Sequence, residues 1–519
     1  MANDIKTKIL LIAALLPTAM AGYAQSDMMN RNAYQWLEEQ QLWRSTNNAA
    51  GLSLDTIANY GVSRFHLSHS GGNYARVQDG DMENKLTFFS ERYQKISEGL
   101  YGYGKFQFDM SRTKGRAWSD VLRSHNSNPY FSGSAIKGRY DLQDFDLTAA
   151  ISTTKLGHIS LGGRLDYKVA DFSRLRDPRS RINMLDYKVT PSVTYSPDNS
   201  NSVGLAGWYH RRKEKLPNFA NAQSNANIPY YYFSGMENMT VQGGNSYLYA
   251  QREWVNHEFG AELSYGYRGD NAHSLTSLYI SRGAENVYWD AKAEVGKYFS
   301  YKYGLNTQNR FRIGTGKLLS VNFKAQYEQA YSDEYRQEKV TTIDAQGFTS
   351  TTYKTLMTYK KRYRVNVFDM DFNSRLSFVG DNGVNSYVGL GYQLGNVRNK
   401  YVLNTSELKY IDMKIGAEGG VALLRNRLWV DGRLKYKFNT DNTLNLYDNT
   451  TAYAQNVLIP DMRYLGANYV DGGLSVTYQF SLDIHGYKAN WYVKLSGDYL
   501  RSNTHEHFNT IGLTFGLFN

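Results

Sequence analysis

The stretch RLWVDGRLKYKF, Arg427 to Phe438, alternates without interruption. Leu428, Val430, Gly432, Leu434, Tyr436 and Phe438 fall on one side of an extended chain. Arg427, Trp429, Asp431, Arg433, Lys435 and Lys437 fall on the other. A period of two makes this a β-strand with one apolar and one polar face. In a soluble sandwich the apolar face would pack a core. In a membrane barrel it would meet lipid, and the charges would line the lumen.

The neighbouring sequence repeats the pattern. Residues 159–168 set Ile159, Leu161, Leu165 and Tyr167 against Arg164, Asp166 and Lys168. Residues 258–268 set Phe259, Leu263, Tyr265 and Tyr267 against Glu258, Glu262 and Arg268. The end of the chain sets Ile511, Leu513, Phe515 and Leu517 against Gly512, Thr514 and Gly516. From about residue 56 onward, eighteen extended segments follow one another, sixteen being the alternative count. Their connections alternate in length. PDNSN (197–201), GDNG (380–383) and RN (425–426) are short, whereas 114–138, 214–256, 330–360 and 441–466 are long.

Tight turns on one side and long loops on the other are the habit of outer-membrane barrels. An even strand number then puts both ends of the chain on the short-turn, periplasmic side. Two stacked sheets of this size would expose long edges, whereas closure pairs every strand. The expected fold is therefore all-β, a transmembrane antiparallel up-and-down β-barrel of about eighteen strands with a short N-terminal helical segment. The expected division is a signal peptide at 1–24, a helical segment at 25–55 and the barrel at 56–519. In 330–360, Thr and Tyr suit two strands that continue past the membrane as a ribbon.

Composition agrees. The chain has 44 Tyr, 23 Phe, 8 Trp and 45 Gly, but only 8 Pro. Tyr and Trp suit a membrane–water interface, where one end of the ring is dry and the other wet. The mean hydropathy of −0.56 does not argue for a soluble protein, because barrel strands hide their lipid face in alternate positions. Lys6 and Lys8 followed by the apolar run Ile9 to Leu16 read as an export signal, with cleavage after Ala21 or Ala24. With no Cys, a lipoprotein anchor, disulfides and thiolate metal sites are excluded. The net charge of +11 is spread among strands with Asp and Glu interleaved, which argues against nucleic acid and for an anionic lipid or lipopolysaccharide surface. The expected location is the outer membrane of a Gram-negative cell.

Residues 27–55 break the alternation. NAYQWLEEQQLWRST holds helix formers, with Trp36 and Trp43 near one helical face. TNNAAGLS (46–53) resembles the N-P-A-G segment at the start of fatty-acid-transporter-like barrels, with Asn in place of Pro. Such a segment either plugs the lumen or rests at the periplasmic rim.

Candidate lumen-lining residues come in mixed-sign groups: Arg164, Asp166 and Lys168; Glu258, Glu262 and Arg268; Asp369, Asp371 and Arg375. Asp412, Lys414 and Glu418 form a fourth group, and Asp431, Arg433 and Lys435 a fifth. They read either as a permeation path or as a neutralising network that fills the lumen. Paired carboxylates such as Asp369 and Asp371 share a face, but neighbouring cations keep both ionised, so no catalytic residue is expected. His505-Glu506-His507 is too small a cluster for a metal, and no cofactor is expected. The loop 214–256 offers outer-loop binding candidates Tyr230, Tyr231, Tyr232, Phe233, Met236 and Met239, followed by Tyr247 and Tyr249. Clustered aromatics mark contact surfaces when exposed, or close the mouth when they pack on one another.

TIGLTFGLFN at the end, with Phe518 next to last, resembles the aromatic-ended strand by which the barrel-assembly machinery recognises outer-membrane proteins. DEYRQEKV (333–340), KKRYRVNVFDM (360–370), LLRNRLWVDGRLKYKF (423–438), VLIPDMRYL (457–465) and GLFN (516–519) carry a wider likeness. Over residues about 27–519 the chain resembles an uncharacterised family of outer-membrane β-barrels, a domain of unknown function. The resemblance implies companionship with TonB-dependent transporters and a role in nutrient or solute uptake, as a channel or accessory. A non-conducting surface-binding or assembly barrel is the alternative. An outer-membrane enzyme is the third reading and lacks a recognisable constellation.

Overall fold

The computed structural model describes residues 29–55, 58–217, 219–222, 227–244, 251–289, 293–484 and 487–519. The segment 1–24, Tyr247 and Tyr249 lie outside the described residues. Among the described residues, an 18-stranded antiparallel sheet runs from Tyr60–Gly72 to His507–Phe518. Strands consecutive along the wall pair with one another, and the first strand pairs with the last in the register Phe65↔Phe515, so the sheet closes on itself. All eighteen expected segments are strands.

Pairing runs nearly to the short turns and less evenly at the other end. The segment read near 318–329 extends over Lys317–Ile343, and that near 362–379 over Thr349–Gly380. Their distal parts, Glu334↔Tyr359 to Ile343↔Thr349, form the ribbon expected at 330–360. Apolar alternation marks only the stretch that faces an apolar medium, so the polar extensions leave no period-two signal in hydropathy.

Facing follows the pleat. Leu161, Phe259, Leu263, Leu390, Leu434 and Ile511 stand exposed on the outer surface, each between residues turned inward. In water, so much bare apolar surface would cost roughly 25 cal/mol per Å². Against hydrocarbon it costs nothing, and every backbone group of a closed barrel is already paired. In the opening strand, Leu434 and Tyr436 are exposed whereas Trp429 is fully buried toward the inside. The apolar face of Arg427–Phe438 looks outward.

Two additional pieces occupy the interior. At the short-turn end lie a helix, Arg31–Gln40, and two 3-10 turns, Trp43–Ser45 and Ala49–Leu54. At the long-loop end a three-stranded sheet, formed by Ser132–Gly133, Tyr230–Gly235 and Asn238–Gln242, packs with a helical run ending in Ile459–Gly466.

Candidate functional site

The N-terminal segment sits within the wall of the barrel. Asn30 caps its helix by accepting from the Ala33 amide at 2.9 Å, which satisfies one free N–H of the first turn. The helix stops at Gln40, so Trp36 and Trp43 do not share a helical face as expected. A carboxylate oxygen of Asp55 accepts from the Trp43 amide at 2.9 Å and ties the two ends of the following turn together.

Contacts run around the wall. Arg31 donates to both carboxylate oxygens of Asp431, at 2.8 and 3.0 Å, and its guanidinium lies 4.5 Å from the Trp429 ring centroid. Trp429 in turn donates to the Asn32 side chain at 3.1 Å, and Asn32 donates to the Val384 carbonyl at 2.7 Å. Ser377 donates to the Glu39 carboxylate at 2.8 Å, and Arg310 to the Glu39 carbonyl at 2.8 Å. Asn47 donates twice to Glu262, at 2.9 and 2.8 Å, while Lys188 donates to Asn47. Ser152 donates to the Ala50 carbonyl at 2.8 Å.

The wall is shaped for this segment. At Gly162 a Cβ would lie 2.2 Å from the Ala50 amide nitrogen. At Gly383, whose φ of +103° already disfavours other residues, it would lie 2.3 Å from the Asn32 carbonyl oxygen. The segment is a plug in the lumen, not a helix at the rim.

Burial sets the electrostatics of the plug. It pushes the Asp55 carboxyl up from 3.8 to about 7, against the lowering pull of the Trp43 amide. It also raises Glu38, partly opposed by Arg44, with which Glu38 forms an ion pair of 2.5 Å.

The far end closes by different chemistry. Phe131 stacks on Phe233 with centroids 4.5 Å apart, Phe233 lies 4.4 Å from Tyr453, and Trp118 lies 4.8 Å from Tyr231. Beneath the rings, fully buried Asp120 accepts from Tyr140 at 2.6 Å and from Tyr230 at 2.8 Å. Arg174, also fully buried, donates to the Tyr140 hydroxyl at 2.8 Å. Arg76 pairs with Asp461 and binds the short helix to the first outer loop.

This placement corrects the reading of the outer loop as an exposed surface. Tyr230, Tyr232, Phe233 and Met236 are buried, and Tyr231 and Met239 are half-buried against the same cluster. Aromatic surface of this extent is more stable folded inward than held in water.

The lumen-lining candidates lie on the inward parity of their strands, with Asp369 and Arg268 the most solvent-exposed of them and Arg268 near a short turn beside Asp55. Their pairing mostly crosses strands instead of following the groups read along each one. Arg164 with Asp166, and Lys414 with Asp412, are the pairs found within a group. Lys168 meets Asp144, Glu258 meets Lys302, and Arg375 meets Glu418. Arg433 turns to Asp471 and Asp498, which leaves Asp431 to Arg31 of the plug. Asp371 accepts from Gln393 at 2.6 Å, Asp369 lies across Gly395 from Asp412, and Lys435 lies beside Gly416. Cross-strand neighbours are as close as same-strand ones, but register is not visible in a single strand's sequence.

Among the described residues no group of three or more His, Cys, Asp or Glu converges as a metal site requires. His505 sits in a turn with a φ of +66°, and His507 begins the last strand. Asp120, Arg174, Glu39 and Asp55 were not singled out from the sequence. Nothing in their local spacing marks them: Asp120, Arg174 and Glu39 act on other segments of the chain, and Asp55 closes a turn that only the folded segment forms.

Among solved structures, the siderophore receptor PirA from Acinetobacter baumannii is similar over 89% of this chain and 81% of its own, with 10% identity and a TM-score of 0.39. The outer membrane transporter YddB from Escherichia coli is similar over 88% and 80%, with 7% identity and a TM-score of 0.40. Pseudomonas aeruginosa OccK8 (OprE) is similar over 89% and 98%, with 11% identity and a TM-score of 0.34. At these scores the likeness carries no argument. No curated protein sequence matches the chain. Residues 49–519 match the Family of unknown function (DUF6850), which takes in nearly the whole barrel, and the chain belongs to that family.

Proposed function

We propose that this protein is an integral outer-membrane barrel that serves solute uptake, as a channel or transport accessory whose lumen is shut at rest. The observation that carries this reading is the plug. A filled, permanently rigid lumen needs no separate segment docked through reversible polar contacts, each of which water can replace. The partners implied are outer-membrane lipid and, by family resemblance, a TonB-dependent transporter. Phe518, with its ring centroid 5.3 Å from that of Tyr34 and 4.9 Å from that of Tyr492, makes the last strand part of the plug's seat.

The test is single-channel conductance in planar bilayers, for the full chain and for one lacking residues 29–55. Silence in the full chain and stable steps in the deletion support a gated path. Silence in both defeats it. One observation favours the second reading, a non-conducting barrel: the mouth is sealed by a buried aromatic cluster as well. Opening by the plug deletion alone would exclude that reading.

A further inference from the structure

The outer wall is not uniform. On one sector, outward cations stand over aromatic rings and make no ion pair with a described carboxylate. Arg282 lies 5.9 Å from the Tyr301 centroid, Lys297 5.6 Å from Phe299, and Lys361 5.0 Å from Tyr331. Arg364 is exposed and pairs in register with Tyr331, which itself faces Phe299. Elsewhere at the same end several outward cations are neutralised, Arg112 by Asp141, Arg181 by Asp171, Arg398 by Glu407 and Lys409 by Asp441, while Arg139 and Arg501 are single exposed cations on separate strands.

Below the free cations, toward the short turns, the same strands carry a groove of about 520 Å³. Leu278, Leu305 and Ala325 lie in one register row, and Tyr303 and Tyr327 in the next. Ala261 and Ala325 leave the hollow, and the two tyrosines stand beside it. The row above is that of Arg282 and Tyr301. Reading upward along these strands, an apolar trough gives way to rings and then to unpaired positive charge, over about four residues of strand, or ~13 Å.

We infer that this sector is a binding site for an anionic, phosphorylated glycolipid of the outer leaflet, with its phosphates on Arg282, Lys297, Arg364 and Lys361 and an acyl chain in the groove. This rests on the outer-membrane reading above. Charge complementarity selects the occupant. A neutral lipid leaves the cations unmet, and an apolar partner protein leaves them desolvated and unpaired, which is costly. Guanidinium groups bind phosphate oxygens in pairs, and their stems and the rings below them are at home at the head-group level.

The test uses the full chain folded in neutral detergent, with folding scored by heat-dependent gel mobility, and bis-phosphorylated hexa-acyl lipid A as probe. Binding is read by native mass spectrometry and by titration. The triple variant Arg282→Ala, Lys297→Ala, Arg364→Ala is expected to bind at least roughly tenfold more weakly. The matched control Arg112→Ala, Arg181→Ala, Arg398→Ala is expected to bind as the parent does. Ala325→Phe, which fills the groove and leaves every cation in place, is expected to weaken binding several-fold. Equal loss in both triple variants would reduce the site to general surface charge and overturn the proposal. Undiminished binding in the first triple variant would do the same, as would displacement of the lipid by millimolar inorganic phosphate. A barrel that folds and binds lipid A but never conducts would sink the channel reading and leave this one standing.

Discussion

The two ends of the lumen are closed by unlike materials. At the short-turn end, a segment of the chain is held by polar contacts such as Arg31–Asp431 and Asn47–Glu262, beside small apolar clusters that bury Leu42, Trp43 and Leu52. At the long-loop end, rings from three loops fuse into one cluster around Phe131, Tyr230, Phe233 and Tyr453. Polar contacts exchange with water at small net cost, whereas parting stacked aromatics exposes large apolar area. With a larger polar share among its contacts, the plug should part at a smaller cost than the mouth.

The comparison breaks most visibly at the mouth. Tyr230→Ala removes a fully buried ring and one of the donors to Asp120. We expect a loss of about 3–5 kcal/mol. Protease cleavage within the outer loops should rise steeply while the barrel still migrates as a folded species. If the loops stay as resistant as in the parent, the cluster does not hold the mouth shut.

Gly162→Leu addresses the plug sterically and deletes no polar contact. A side chain there meets the Ala50 backbone, so docking should weaken by about 1–3 kcal/mol. Because the chain has no native Cys, reactivity of a cysteine placed at Ser53 reports docking cleanly. Unchanged reactivity would show that the wall yields instead of the plug.

Asp431→Asn keeps the shape and removes the charge that Arg31 meets. The expected loss is about 1.5–3 kcal/mol, read by the same cysteine or by channel opening, with no change in protease resistance at the mouth. Equal loosening at both ends would mean that the closures are one cooperative unit.

A further effect is with pH. Between an unfolded Asp55 near 3.8 and a docked one near 7, the docked form holds the proton that the released form has lost. Docking is thus strongest at and below pH 4, weakens as pH rises toward 7, and is flat above it. Raised Glu38 acts in the same direction. Cysteine reactivity should climb over that window and become less steep in Asp55→Asn. An opposite slope would show that Asp55 docks as the carboxylate.

Much of this molecule is legible in one pass along the chain. The eighteen strands and the inward face of Arg164, Glu262 and Asp431 follow from alternation and turn placement, and the ribbon at 330–360 follows from its Thr and Tyr content. The plug was one of two readings of residues 27–55, and the burial of Tyr230 to Phe233 one of two readings of that loop. A local pattern could not choose, because both choices present the same residues to their neighbours in sequence.

The sequence alone determined that the chain closes into a barrel with lipid outside and charge within, because a pleated strand sorts side chains by parity and parity is written in the order of residues. Only the tertiary structure decided which charges meet, what packs at each end of the barrel and where the outer wall keeps unpaired cations. Arg31 finds Asp431 across 400 residues, and Arg112 finds Asp141 whereas Arg282 finds no described carboxylate. Those outcomes depend on register and closure, which are set by the whole sheet at once.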